Sequence, residues 1–156
     1  MTNIISREED GVVNKVPQIW HRVVVHFKNG KLVKGYTRDF KHASRVFSVA
    51  LAQNSHKGSS IDIVDLKALF FVKTFAGDKN YFEKNRFEDI NGSNLVGYKV
   101  KVEFPDGEIM RGTTPDYKKI FTGFYVKPLD PESNNKMVYV YTNAQLNISI
   151  GHLAEK

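Results

Sequence analysis

Six basic side chains, Lys28, Lys31, Lys34, Arg38, Lys41 and Arg45, are gathered around and after an Asn29-Gly30 turn. Cations clustered in this way neutralise phosphates or carboxylates, so the chemistry they point to is recognition of an anion. Tyr36 and Phe40 lie in the same stretch, and rings beside cations are what single-stranded nucleic acid needs for base stacking. The charge is uneven. Trp20 to Lys73 holds ten Lys and Arg against three Asp and Glu, a net +7, whereas Leu95 to Ile150 nets +1, out of +6 for the whole chain. An acidic partner is implied, and nucleic acid or an anionic protein would each satisfy it.

Signs of catalysis are weak. His21, His26, His42, His56 and His152 show none of the spacings of a metal site. Asp39 and Asp116 each follow a threonine by two residues, and an aspartate there more often holds a turn than transfers a proton. The chain has no cysteine, which removes disulfides and thiolate ligands and fits a reducing compartment. The paired arginines and the Asp/Asn-x-Ser-x-x-Gly of cyclic-dinucleotide-binding barrels are absent, which leaves a nucleotide second messenger as the weakest reading. The expectation is therefore a non-enzymatic binding protein with no cofactor and no metal. Another protein is the first partner expected, nucleic acid the alternative, and a second copy of the chain a further possibility. Residues 1–19 do not read as a signal peptide and no run reaches membrane-span length, so a cytoplasmic protein is expected.

The elements that must position these side chains come from a duplication. VVVHFKNGKLVKG (Val23 to Gly35) returns as VKVEFPDGEIMRG (Val100 to Gly112). Phe27, Gly30, Asp39, Phe47, Val49 and Leu69 recur 77 positions later as Phe104, Gly107, Asp116, Phe124, Val126 and Leu146. Within one copy, Val23, Val25 and Phe27 alternate with Arg22, His26 and Lys28, the period-two pattern of a half-buried strand. Asn29-Gly30 and Asp106-Gly107 predict type I′ hairpin turns. Gly35 and Gly112 fall inside the returning strand, where glycine marks a bend or a close backbone approach. Three further short strands, with Phe47, Val49 and Leu51, then Ile61 and Ile63, then Leu69 and Phe71 facing inward, complete five per copy.

The expected fold is all-β: two tandem five-stranded small barrels, Sm-like or SH3-like, packed together. Residues 1–18 are read as a tail, 19–73 as the first unit, 74–97 as a connector with a short helix capped by Asp78, 98–150 as the second unit and 151–156 as a tail. Tyr81, Phe82 and Phe87 are expected to pack the connector down. Alternation also turns Phe70, Val72, Tyr125, Met137, Tyr139 and Tyr141 outward. Large apolar groups on outward faces need a cover, so these six form the expected surface between the units or toward a partner.

The pattern hydrophobic-x-hydrophobic-x-Phe-x-Asn/Asp-Gly, with a second glycine five residues on, resembles the first motif of Sm-like RNA-binding barrels. Phe27 to Gly35 and Phe104 to Gly112 carry the resemblance, which implies that fold. The base-holding Asp of the family is replaced by Lys41 and Lys118, so the likeness speaks for fold and hardly for RNA. VVVHFKNGKLVKGYTRDF, DLKALFFVKTFAGD, VKVEFPDGE and LDPESNN together resemble an uncharacterised bacterial family of tandem β-domains, from Arg22 to Ile150. That resemblance implies a bacterial, non-enzymatic protein.

Overall fold

A computed structural model describes residues 19–55, 57–92, 95–119 and 122–156; the expected tail at 1–18 lies outside them. The structure is all-β. Its ten strands are β1 (His21–Phe27), β2 (Leu32–Thr37), β3 (Val46–Ala50), β4 (Gly58–Asp62), β5 (Leu66–Val72), β6 (Tyr98–Glu103), β7 (Ile109–Thr114), β8 (Gly123–Pro128), β9 (Asn135–Tyr141) and β10 (Asn147–Ile150). Among the described residues the only helical elements are short 3-10 turns, so the connector helix expected after Asp78 is not formed. No helix among them is long and apolar enough to cross a membrane.

Antiparallel pairing joins all ten strands into one sheet, in the order β10-β6-β7-β8-β9-β5-β1-β2-β3-β4. The sheet is not closed into the small barrels expected from the sequence, because β4 and β10 remain as its two ends. The sheet is curled nonetheless. Ile61 of β4 and Phe47 and Val49 of β3 share a core with Val23 and Val25 of β1 and Leu69 of β5. A flat sheet would keep these strands too far apart to touch. β2 and β3 pair only at Tyr36 and Ala50. At that point a Cβ on Gly35 would lie 2.5 Å from the Ala50 carbonyl oxygen. Gly112 faces Lys127 still more closely. Glycine is required at both places because two backbones occupy the space of a side chain.

The hairpin turns differ from the expected type I′. Phe27 and Phe104 N–H groups donate to Lys31 and Glu108 carbonyls at 2.9 Å, and only the glycines, Gly30 at φ +90° and Gly107 at +94°, adopt positive φ. This is the three-residue loop with a glycine bulge. Asn29 and Asp106 act instead through their side chains, accepting from the backbone N–H of Lys31 (2.9 Å) and Glu108 (3.0 Å).

β5 runs through the middle of the sheet and is apolar on both faces, LKALFFV, as a strand covered on both sides must be. Its register sets Phe70 opposite Val24 of β1 and Val138 of β9. One face carries Leu66 and Leu69 into the first core, which Tyr139 and Tyr141 of β9 complete. The other carries Ala68, Phe70 and Val72 into a second core with Val100, Val102, Phe124, Val126, Val138 and Val140. The last five strands thus cover the first five and the reverse, and four of the six residues expected to face outward, Phe70, Val72, Tyr139 and Tyr141, are buried in the seam. Lys67 extends it. Its Nζ donates to Asp106 at 2.6 Å and to Glu108 at 2.5 Å. Burial opposes its charge, but the two carboxylates outweigh that and hold its pKa above the ordinary lysine value.

The connector is pinned, not free. Asp130, buried, accepts from the Tyr81 hydroxyl (2.5 Å) and from the backbone N–H of Lys84 and Glu132 (2.9 Å each). Phe87 is buried beside Leu129 and Ala154. Phe82, expected to pack, is 90% exposed, and Leu51, expected inside, is 86% exposed because β3 ends one residue before it. Within residues 151–156, expected as a tail, Gly151–Glu155 forms a 3-10 turn that buries Ala154.

Candidate functional site

The first core ends in an array of rings. Phe40, in the loop after β2, reaches back over the sheet and meets Phe47, Phe71 and Tyr139 edge-on, with centroids 5.2, 5.9 and 5.4 Å away. Tyr139 meets Tyr125 of β8 at 4.8 Å, and Phe71 meets His21 at the start of β1 at 5.6 Å. Edge-to-face contact at these distances is favourable and fixes the rings relative to one another. Beside Tyr125 and Met137 the array opens into a cleft of about 360 Å³. Its floor is Phe40, Phe71, Tyr125 and Met137, each half-buried. Its rim is His21, Arg38 and Lys136, each exposed.

Lys136 owes its place to a bulge. Asn135 pairs with Val72 and Met137 with Phe71, so Lys136 is an extra residue with no partner on β5. A bulge re-aims the side chain it carries, and here it sets an ammonium at the edge of the rings. No carboxylate lines the cleft among its described residues. The Tyr125 hydroxyl is pushed above its ordinary pKa by burial alone, and Tyr139 mainly by burial, so both stay neutral donors at physiological pH.

The structure divides the basic cluster read from the sequence. Arg38 alone reaches the cleft, its guanidinium 4.6 Å from the Trp20 ring centroid. Arg45 pairs with Asp62 at 3.2 Å, and Lys34 donates to the Phe75 carbonyl at 3.0 Å. Lys31 lies over the Phe27 ring, and Lys28 borders a small hollow near Lys67 and Asp106. That end of the hairpin is a strand's length, about 20 Å, from Arg38. Lys41 is exposed in the loop that carries Phe40. Tyr36, the other ring expected to stack, is turned against Phe75. Of the expected partner surface, Tyr125 and Met137 line the cleft, while Phe70, Val72, Tyr139 and Tyr141 are buried. His21, Phe71 and Lys136 went unread as site residues. Phe71 reads as core from its strand pattern, and nothing in the sequence marks the bulge that presents Lys136.

The family model described as "Family of unknown function (DUF6982)" matches residues 20–150. The chain belongs to that family. No curated protein matches it, and no solved structure does. The DUF6982 match takes in every residue that lines the cleft, from His21 to Met137.

Proposed function

We propose that this DUF6982 protein is a non-catalytic binding protein whose ligand joins a negative charge to a flat ring. The observation that carries this is the cleft over the seam: a floor of three rings and Met137, a rim bearing the cations Arg38 and Lys136, and no acidic lining among its described residues. Rings take up a flat apolar group by stacking, and cations hold an anion beside it. A cleft of this size falls within the range that small ligands or single residues of a chain occupy. The scaffold is read as two tandem, strongly curled five-stranded units of the Sm-like or SH3-like kind. Supporting this, both runs of five strands share one order, fifth-first-second-third-fourth, and β2 and β7 begin 77 residues apart. The junction of β5 with β9 then joins the units and builds the cleft.

A protein partner on outward aromatics loses its ground, because four of those six side chains lie between the halves. An acidic peptide bearing a ring remains the second reading, favoured by Met137, whose flexible thioether suits varied side chains.

The test is amide chemical-shift mapping with two small ring-bearing anions, adenosine 5′-monophosphate and a phosphotyrosine amide. Shifts gathered at Arg38, Phe71, Tyr125 and Lys136 are expected. Shifts confined to the Lys28–Lys31 turn, or none at millimolar ligand, would reject the cleft.

A further inference from the structure

We infer that the ligand of the cleft is a single strand of nucleic acid that continues from it into a second cavity. This rests on the cleft being a binding site, as proposed above, and names its occupant. The second cavity, about 250 Å³, is lined by Trp20, Arg38, Asp39, Ser48 and Ser55 among others. Arg38 lines both cavities. The two are therefore neighbours on one surface, with a single guanidinium between them. The two cavities together offer the rings of Trp20, Phe40, Phe71 and Tyr125, with Arg38 between the cavities and Lys136 on the rim of the cleft. That is the pattern a single strand asks for, since every base has a face to stack and every link carries a charge.

Trp20 is held for such use. Its indole N–H donates to Asn54 Oδ1 at 3.2 Å, and Asn54 is the one described non-glycine residue with positive φ (+63°). Asparagine takes the left-handed conformation more readily than other residues with a side chain, and here it turns its amide oxygen to the indole. Asp39, the one carboxylate in the second cavity, already accepts from the Ser48 N–H (3.1 Å) and the Thr37 hydroxyl (3.2 Å). Its charge keeps phosphates toward Arg38 and Lys136, and leaves the Ser48 hydroxyl to face a base edge, while Ser55 Oγ is engaged with the Lys57 backbone (3.2 Å).

A peptide fits less well for a reason of topology. Peptides bound to sheets draw on free backbone N–H and C=O groups at an edge. The cleft lies over β1, β5, β8 and β9, each of which pairs with a strand on both sides. No sheet edge is offered there, and apart from Met137 the lining consists of rings and basic side chains. A duplex is also a poor occupant, because its bases are stacked away from any ring in a cleft.

The test is fluorescence anisotropy with the full chain and end-labelled probes: a twelve-nucleotide single strand, as DNA and as RNA, the same sequence as a duplex, and a peptide of alternating glutamate and tyrosine. The single strand is expected to bind at least tenfold more tightly than the duplex. Tyr125→Ala should weaken it about tenfold or more through lost stacking. Lys136→Ala should flatten the dependence of log K on log salt by about 0.7, one phosphate's worth on a single strand. Circular dichroism checks that both variants stay folded, as exposed or half-exposed positions should. Peptide binding that both variants weaken, with no oligonucleotide binding, overturns the inference and leaves the cleft standing. Neither probe binding removes both. Oligonucleotide binding unmoved by the two substitutions, or a duplex held as tightly, overturns the inference as well.

Discussion

Phe70→Ala should loosen both halves of the molecule together. Phe70 is 4% exposed, pairs with Val24 and Val138 across β1 and β9, and stacks on His26 at 4.0 Å. It belongs to the core of the last five strands although it is carried by the first five. Truncating a buried phenylalanine costs about 3–5 kcal/mol, the lost transfer energy plus the cavity left behind. Neighbours on the two flanking strands, β1 and β9, set the shape of that cavity, so little collapse is available and the upper half of the range applies. For a chain of this size each kcal/mol lowers Tm by about 2–4 °C, which puts the fall at roughly 8–20 °C. Domains of this kind hold only about 5–15 kcal/mol in total, so the loss is a large share of it. Scanning calorimetry should show one transition, shifted as a whole, because the removed side chain supports both cores through β5. Two resolved transitions, or one half melting early with the other unmoved, would refute the shared-seam account. A fall under about 1 kcal/mol would show that Phe70 is not enclosed as described.

Two further outcomes follow from particular contacts. Gly35→Val should cost about 3 kcal/mol or more, since its Cβ would meet the Ala50 carbonyl at 2.5 Å and Val49 Cγ1 at 2.6 Å; Gly30→Asn, where space is open and asparagine tolerates positive φ, should melt near wild type, and similar melts for the two would refute the close approach. Stability should fall as pH drops below about 6.5, because burial, and then the Lys67 charge, hold the His26 pKa under its ordinary 6.5. The unfolded chain then takes the proton first, so this contribution is present above 6.5 and is lost as pH falls toward the lower folded value. Urea titrations from pH 7.5 to 5 should show the loss in wild type and a shallower one in His26→Gln, and equal slopes would remove His26 as its source.

What could be read from the chain alone was whatever depends on near neighbours. Alternation in VVVHF and VKVEF marks strands because side-chain direction in a strand repeats every two residues. Gly30 and Gly107 mark turns because positive φ is cheap only for glycine, and Gly35 and Gly112 mark a backbone approach that leaves no room for a Cβ. Those signals placed strands, turns and an all-β class. They also suggested that Phe70, Val72, Tyr125, Met137, Tyr139 and Tyr141 required a cover. They could not say what the cover was, because pairing of β5 with β9 joins residues more than sixty positions apart. Only the assembled sheet decides that four outward side chains become core while Tyr125 and Met137 stay at the surface. Only the assembled sheet breaks a basic cluster that looks continuous in sequence, since a strand's length separates Lys31 from Arg38 and ion pairing takes Arg45 away. Lys136, 98 residues beyond Arg38 in the chain, reaches the same cleft through a bulge that no local pattern announces. A strand carries its own periodicity, but a site on a sheet is made by register, and register is settled between strands.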